Sequence, residues 1–438
     1  MLVLLTTILL LIAEVYEINI LTLVVLYLWF IKCYFGSKTN LIYQVLLITF
    51  FVFHILPITI SLLADNYRLI THSIDVGKIV YDDPLKICLI LTISMITMAY
   101  YRPQHFRWPK FSMNEKYISI DYLILIVISL IAYYGKYLII RQVWEVGYIN
   151  FHLGADIEKR SPIFFFIEYL FLYFIALNFK NNRTITNYIF AGYAILNLLS
   201  GMRLPFVAMI TTLILLNVNP FRKFLISKVN LIVMSLLFLV FLGLSQLLRT
   251  GADLESYSLT DFLLFSAEAQ IFSLSATNDL LMLILHKGSN LPYNPLYYIL
   301  DMISVLQSKL GGYVLTMNER IENGNLGYYL YSLHEPERFK LGITGGGTFL
   351  GEVFFYYGVL GISFFMILIK QITFSLNKII QVQNSLGIFI LLSFTPSFYR
   401  LWRDNYFNMI YQLIFTLAMF FVFAFTRKLI YSLILKRN

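Results

Sequence analysis

Charge is scarce in this chain. Only 13% of its 438 residues are Asp, Glu, Lys or Arg, about half the share found in a soluble domain. Hydrophobic residues make up 59%, so too few polar side chains are left to cover a water-facing surface. That excludes a conventional soluble globule. Cysteine is scarcer still. Cys33 and Cys88 lie in or beside apolar runs, which excludes a disulfide framework or a cysteine-based zinc site in the long polar stretch. The histidines do not cluster: His54 lies in an apolar run, and His72, His105, His152, His286 and His334 are scattered through connections. No pair has the spacing of metal ligands on one helix, and no metal is expected. No long basic run with interleaved aromatics occurs, so the net charge of +9 does not imply a nucleic-acid partner. There is no internal repeat, and no pair of interrupted spans of the transporter kind.

What the chain has in abundance is apolar runs about 20 residues long, enough to cross about 30 Å of hydrocarbon. Inside lipid the backbone must satisfy its hydrogen bonds within helices. The expected fold is therefore an all-α polytopic membrane protein of about twelve transmembrane helices. The spans fall at 2–13, 18–35, 41–63, 85–101, 118–135, 163–179, 185–200, 204–219, 229–248, 348–369, 385–399 and 405–426. Leu2 to Ala13 has no Lys or Arg before it and no small-residue cleavage site after it. It reads as a short first span, not a signal peptide.

The sparse charges set the orientation. Lys32 and Lys38, Arg102 to Lys116, Lys180 and Arg183, Arg222 to Lys228, Lys370 and Lys378, and the tail from Arg427 to Arg437 all fall on alternate connections. Nearly all acids fall on the others, Glu115 and Asp121 apart. By the positive-inside rule both termini are cytoplasmic. Three outer connections stand out: Ala64–Pro84, Lys136–Pro162 and Arg249–Gly347. The last divides the chain into spans one to nine (1–248), a large outer loop (249–347) and spans ten to twelve with the tail (348–438). A loop of that length is functional or disordered. Asn294-Pro295 caps a helix start, and Ile299, Met302, Ile303, Leu306 and Leu310 follow at helical spacing, so this loop is expected to form a helical cap on the membrane surface.

Arginines at outer helix ends are the most informative side chains. Arg203 sits in SGMRLPFV, Arg249 in LLRTG, and Arg400 and Arg403 in YRLWRDNYF. Arginine near hydrocarbon is costly unless paired. Its planar fork suits phosphate oxygens, so the four form a candidate diphosphate clamp. The competing reading is snorkelling to headgroups, or pairing with acids such as Asp404. Asp261, Glu268 and Asp279 are spaced to share one helical face, as a proton-transfer and sugar-binding stripe or as a solvated face. Glu352 lies inside an apolar span and is a functional candidate for that reason. His334, in LHEPER, is the best-placed outer histidine. Gly345-Gly346-Gly347 lacks the lysine and spacing of a P-loop.

With these residues in view, the chain resembles the Wzy-type O-antigen or capsule repeat-unit polymerases. The likeness rests on the span layout, on GMR with Arg203, on Arg249 opening the large loop, on GGGTFLGEVFFYYGVLG with Glu352, and on RLWRDNYF with Arg403 and Asp404. It implies a GT-C-like glycosyltransferase of the inner membrane with its large loop in the periplasm. It further implies undecaprenyl-diphosphate-linked oligosaccharide substrates, membrane lipids as surroundings, no cofactor, and a Wzz-type chain-length regulator as a partner. Glu268 and Glu352 would be the catalytic acids, and Asp261, Asp279, Asp404 and His334 would contact sugars. The related ligases carry His-Asn where Gly346 and Gly347 stand here, which argues against a ligase. Two alternatives stay open: a ligase-like glycosyltransferase, and a lipid-linked oligosaccharide flippase or transporter.

Overall fold

The computed structural model describes residues 19–36, 40–63, 68–71, 74–78, 84–104, 118–147, 162–217, 258, 261–262, 277–286, 296–311, 315–334, 336, 339, 347–382, 384–403 and 406–435, together with Thr6, Ile8, Leu9, Leu10, Ile12 and Glu14. Among the described residues the fold is helical apart from one short hairpin. In order come α1 (Asn19–Gly36), α2 (Leu41–Phe50), a π-helical turn (Phe51–Ile55), α3 (Leu56–Leu63), the antiparallel strands β1 (Arg68–Thr71) and β2 (Ile74–Lys78), α4 (Pro84–Tyr100), α5 (Ile118–Val146), α6 (Pro162–Asn178), α7 (Arg183–Leu199) and α8 (Arg203–Leu216). A helical stretch at 277–286 follows. Then come α9 (Leu296–Gly311), α10 (Met317–Glu322), α11 (Leu326–His334), α12 (Phe349–Val382), α13 (Ser385–Tyr399), a 3₁₀ turn (Leu401–Arg403) and α14 (Tyr406–Leu435).

Among the described residues, five helices are long and apolar enough to cross a membrane, and shorter apolar helices stand between them. From α1 onward, the described helices start within about two residues of the expected spans. They differ in where they stop. The expected connection at Lys136 is not a loop, because α5 runs on to Val146. Lys136 is buried there against Glu168 at 2.7 Å, and Arg141 pairs with Glu145 one turn later. Ion pairs along and between helices thus carry the helix past its apolar run. Gly147, at φ 82°, follows its end. The charged tail is also helical, and α14 takes in Arg427 and Lys428. Span nine at 229–248 lies outside the described residues.

The expected continuous span at 348–369 is broken. Gly358 sits at φ 63°, ψ −157° inside α12, a region essentially closed to residues with a side chain. Phe349 and Phe365 would lie about 24 Å apart along a straight helix, yet their rings are 5.8 Å apart. The chain therefore doubles back at Gly358, giving a short re-entrant helix followed by a long one. The turn itself lies at the surface of the bundle, where Tyr357, Val359 and Leu360 are exposed.

The central helix is α13. It is apolar on every side and buried on nearly every turn, as an all-round hydrophobic helix requires. It packs on α6, α8, α12 and α14. By contrast α5 exposes Leu123, Val127, Leu130, Tyr134 and Trp144, a surface suited to lipid and too apolar for water.

Charged and polar side chains tie helix ends together. Arg427 donates two hydrogen bonds to Asp121, at 3.0 and 2.6 Å, and Tyr431 donates a third at 2.7 Å. Asn178 bonds the Asp121 carbonyl. Arg183 reaches Asn217 and the Leu216 carbonyl at 2.7 and 2.6 Å. Lys370 donates to the carbonyls of Met98 and Tyr101. Each set joins helix ends that the charge pattern assigns to the same side.

Candidate functional site

Two described turns carry three of the four candidate arginines, and both flank short helices. The first is Ser200-Gly201-Met202. Gly201 has φ 77°, its N–H donates to the Leu198 carbonyl, and the Met202 N–H donates to that of Asn197, both at 2.9 Å. This is the paired-bond ending of a helix that needs a left-handed residue, so glycine in GMR has a conformational reason. Arg203 then opens α8, with Pro205 in its first turn. The second turn is Leu401–Arg403, which follows α13. Pro396 interrupts the hydrogen bonding of α13 one turn earlier.

The lengths matter. With 14 and 15 residues, α8 and α13 are about 21 and 22 Å long, well short of about 30 Å of hydrocarbon. The first turn lies level with the far end of α5, where Trp144 Nε1 donates to the Leu199 carbonyl at 3.3 Å. The second packs inside the bundle through Trp402. Its Nε1 donates to the Leu46 carbonyl and to Thr49 Oγ1, each at 3.2 Å, and both partners belong to the body of α2.

Trp402 is the hub of a junction. It is wholly buried, with Phe50 edge-on at 4.9 Å, Phe349 at 5.8 Å and His54 at 6.1 Å between ring centres. Four elements meet here: the end of α2 with its π turn, the re-entrant start of α12, the 401–403 turn, and the stretch 277–286. The last is tied in by a reciprocal pair. Asn278 Nδ2 donates to the His54 carbonyl at 2.9 Å, and Asn278 Oδ1 lies 2.7 Å from His54 Nδ1. Gly351 fits tightly against this stretch, since a Cβ there would come within 2.8 Å of Ile284. Glu352 is buried one turn into α12, with the Thr348 side chain capping that helix start through the Gly351 N–H.

The structure brings some of the expected site residues together and leaves others apart. Glu352 and Arg400 belong to elements of the junction, and Arg400 is half-buried at the end of α13. Arg203 and Arg403 are described in backbone only. Arg249, Glu268 and Asp404 lie outside the described residues. Asp261 is engaged locally, accepting from Ser258 Oγ at 2.6 Å. Asp279 is half-buried, and it is its neighbour Asn278 that enters the junction. His334 ends α11. Three junction residues, His54, Asn278 and Trp402, were not among the expected site residues. A lone histidine inside an apolar run was the available signal; for Asn278 and Trp402 there was none. Among the described residues, no three His, Cys, Asp or Glu side chains converge as metal ligands.

The helical segment of the outer loop is built on its own polar lock. Arg320 clasps Asp301 with two hydrogen bonds of 2.6 and 2.7 Å, and Asn325 adds a third at 2.9 Å. This joins α9 to the α10–α11 turn. The opposite face of α9 leaves Ile299, Leu300 and Ile303 exposed.

The family model for O-antigen polysaccharide polymerase Wzy matches residues 1–438, the whole chain. The chain belongs to this family. It is a polysaccharide polymerase of the membrane, and the resemblance noted from its motifs stands. No curated protein and no solved structure matched it. The match covers both arginine turns and the broken helix.

Proposed function

We propose that this protein joins undecaprenyl-diphosphate-linked oligosaccharide repeat units into O-antigen or a related surface polysaccharide, at the periplasmic face of the inner membrane. The observation that carries this reading is the family match over the whole chain, joined to arginines at two helix turns, one of which packs into the body of α2 through Trp402. An arginine at such a turn suits a lipid-borne anion that enters sideways between helices.

In this reading Arg203, Arg249, Arg400 and Arg403 hold the diphosphate. They stabilise the charge that develops as it leaves, which needs donors fixed in place before the reaction. The positive end of the re-entrant helix, packed on Trp402 through Phe349, adds to that field. Residues 249–347 form a cap over the glycan, and the exposed apolar face of α9 rests on the membrane surface. Asp261, Asp279, Asp404 and His334 bind sugar hydroxyls, and Glu268 and Glu352 are the acids within reach of the reaction. A GT-C-like arrangement, cytoplasmic termini and a Wzz-type regulator complete the proposal. The reaction needs no metal when arginines carry the anion.

The test uses the full chain in proteoliposomes and lipid-linked repeat units extracted from host cells that lack it. Ladders of extended glycan on the lipid carrier are expected. No extension, or transfer only when a lipid A core is supplied, would overturn the reading. For orientation, cysteines placed at Ser256 and Asn323 should react with an impermeant thiol reagent outside intact spheroplasts, and those at Ser112 and Asn182 should not.

A further inference from the structure

His54 has one committed nitrogen and one spare. Asn278 cannot be flipped without losing its bond to the His54 carbonyl, since its Nδ2 is the donor there. Its Oδ1 therefore faces the ring at 2.7 Å. An amide oxygen only accepts, so Nδ1 must carry the hydrogen. That leaves Nε2 as the nitrogen with the lone pair. Nε2 is buried and meets no hydrogen-bond partner among the described residues. A buried polar atom left unmet is costly and asks for an explanation.

The surroundings point the same way. His54 sits in a π turn, closed by the Leu56 N–H to the Phe51 carbonyl, and such turns are frequent at functional sites. Thr277 Oγ1, in the stretch 277–286, and Tyr399 Oη, at the end of α13 just before the 401–403 turn, are also buried without a partner among the described residues. The ring is sealed by aromatic contacts with Phe50 and Trp402. A hydroxyl arriving at Nε2 would therefore displace apolar packing and break no hydrogen bond at that nitrogen. Trp402 adjoins Arg403 in sequence, so this nitrogen lies beside the turn that the polymerase reading assigns to the diphosphate.

We propose that His54, its tautomer set by Asn278, takes the proton from the acceptor sugar hydroxyl, an inference that rests on the polymerase reading. The acceptor O–H bond breaks and its proton goes to Nε2. The acceptor oxygen forms the new bond to the anomeric carbon. The bond from that carbon to the diphosphate oxygen breaks, and the electron pair leaves with the lipid diphosphate. The imidazolium then gives its proton to the departing diphosphate. An orienting amide on Nδ1 and a basic Nε2 form the same division of labour as in acyl-transfer triads.

The experiment compares wild type, His54→Asn and Asn278→Ala in proteoliposomes, using extracted lipid-linked repeat units for turnover and undecaprenyl diphosphate for binding. Asn at 54 can keep a hydrogen bond to Asn278 but has no basic nitrogen. It should lower turnover at least about 100-fold while leaving undecaprenyl diphosphate binding within about twofold. Asn278→Ala, which frees the tautomer, should lower kcat about 10-fold or more with KM little changed, and it carries the test if His54→Asn fails to fold. Near-normal turnover by His54→Asn would reduce His54 to a structural staple and overturn the proposal. So would parallel loss of binding and turnover in either variant. If wild type itself made no polymer, the polymerase reading would fall instead.

Discussion

The two ends of the helix bundle spend their polar side chains differently. At the end where α5 begins and α6 and α14 finish, charge meets charge or carbonyl within the protein: Asp121 takes three hydrogen bonds from Arg427 and Tyr431, and Arg183 and Lys370 cap helix ends. At the junction of α2, α12 and α13, the contacts seen among described residues run through neutral groups, Trp402, Thr49, His54 and Asn278. They hold short helices and a broken one in place. Charges consumed by neighbours build a rigid frame. A neutral scaffold behind arginine-bearing turns leaves cationic chemistry to face a ligand. Stability and catalysis should therefore separate between the two ends.

The strongest way to break this contrast is at the frame. Asp121 and Arg427 are nearly buried, with side-chain exposures of 7% and 11%. Arg427→Leu alone strands a buried carboxylate and should cost about 3–5 kcal/mol, read as an earlier SDS unfolding midpoint in mixed micelles. Replacing both, as Asp121→Leu with Arg427→Met, should recover most of that loss, because no charge is left alone. Folded double-variant protein should then polymerise normally. Loss of polymer with stability restored would mean that this end also serves catalysis.

Next in size is the junction end. Arg203→Ala and Arg403→Ala should each lower polymer formation about 100-fold or more, the usual effect of removing a donor to a developing anion, with the unfolding midpoint unmoved. Lys should rescue poorly, since it supplies charge without the paired geometry. Wild-type glycan ladders from both Ala variants would remove the clamp from the account. The smallest effect is expected at the break in α12. Gly358→Ala forces a side chain into a backbone region reserved for glycine and should cost about 1–3 kcal/mol. If the re-entrant turn matters to the site, polymer yield should fall more than this loss of stability alone explains.

Much of this architecture was legible before any coordinates. Helix starts followed from apolar runs and caps: Asn384 caps α13 through the Gly387 N–H at 2.7 Å, and Asn40 does the same for α2 through Tyr43 at 3.0 Å. The helix after Asn294-Pro295 also formed where its spacing indicated. Helix ends were less legible. Arg141, Lys370 and Arg427 look like loop residues to a hydropathy rule, yet partners from other elements or the next turn keep them helical or seated at helix ends. The Gly358 reversal was hidden because glycine inside an apolar run is common in membrane helices.

By itself the sequence determined that this chain lives in a membrane, where its helices begin, and that its arginines gather at turns, because span length, capping and charge placement are local properties. Only the tertiary structure decided what those turns pack against. The 401–403 turn rests on the body of α2, where Trp402 meets Leu46 and Thr49. The pairing of His54 with Asn278 spans 224 positions of sequence. No local pattern encodes a contact at that separation, and it comes into being only when the bundle closes around it.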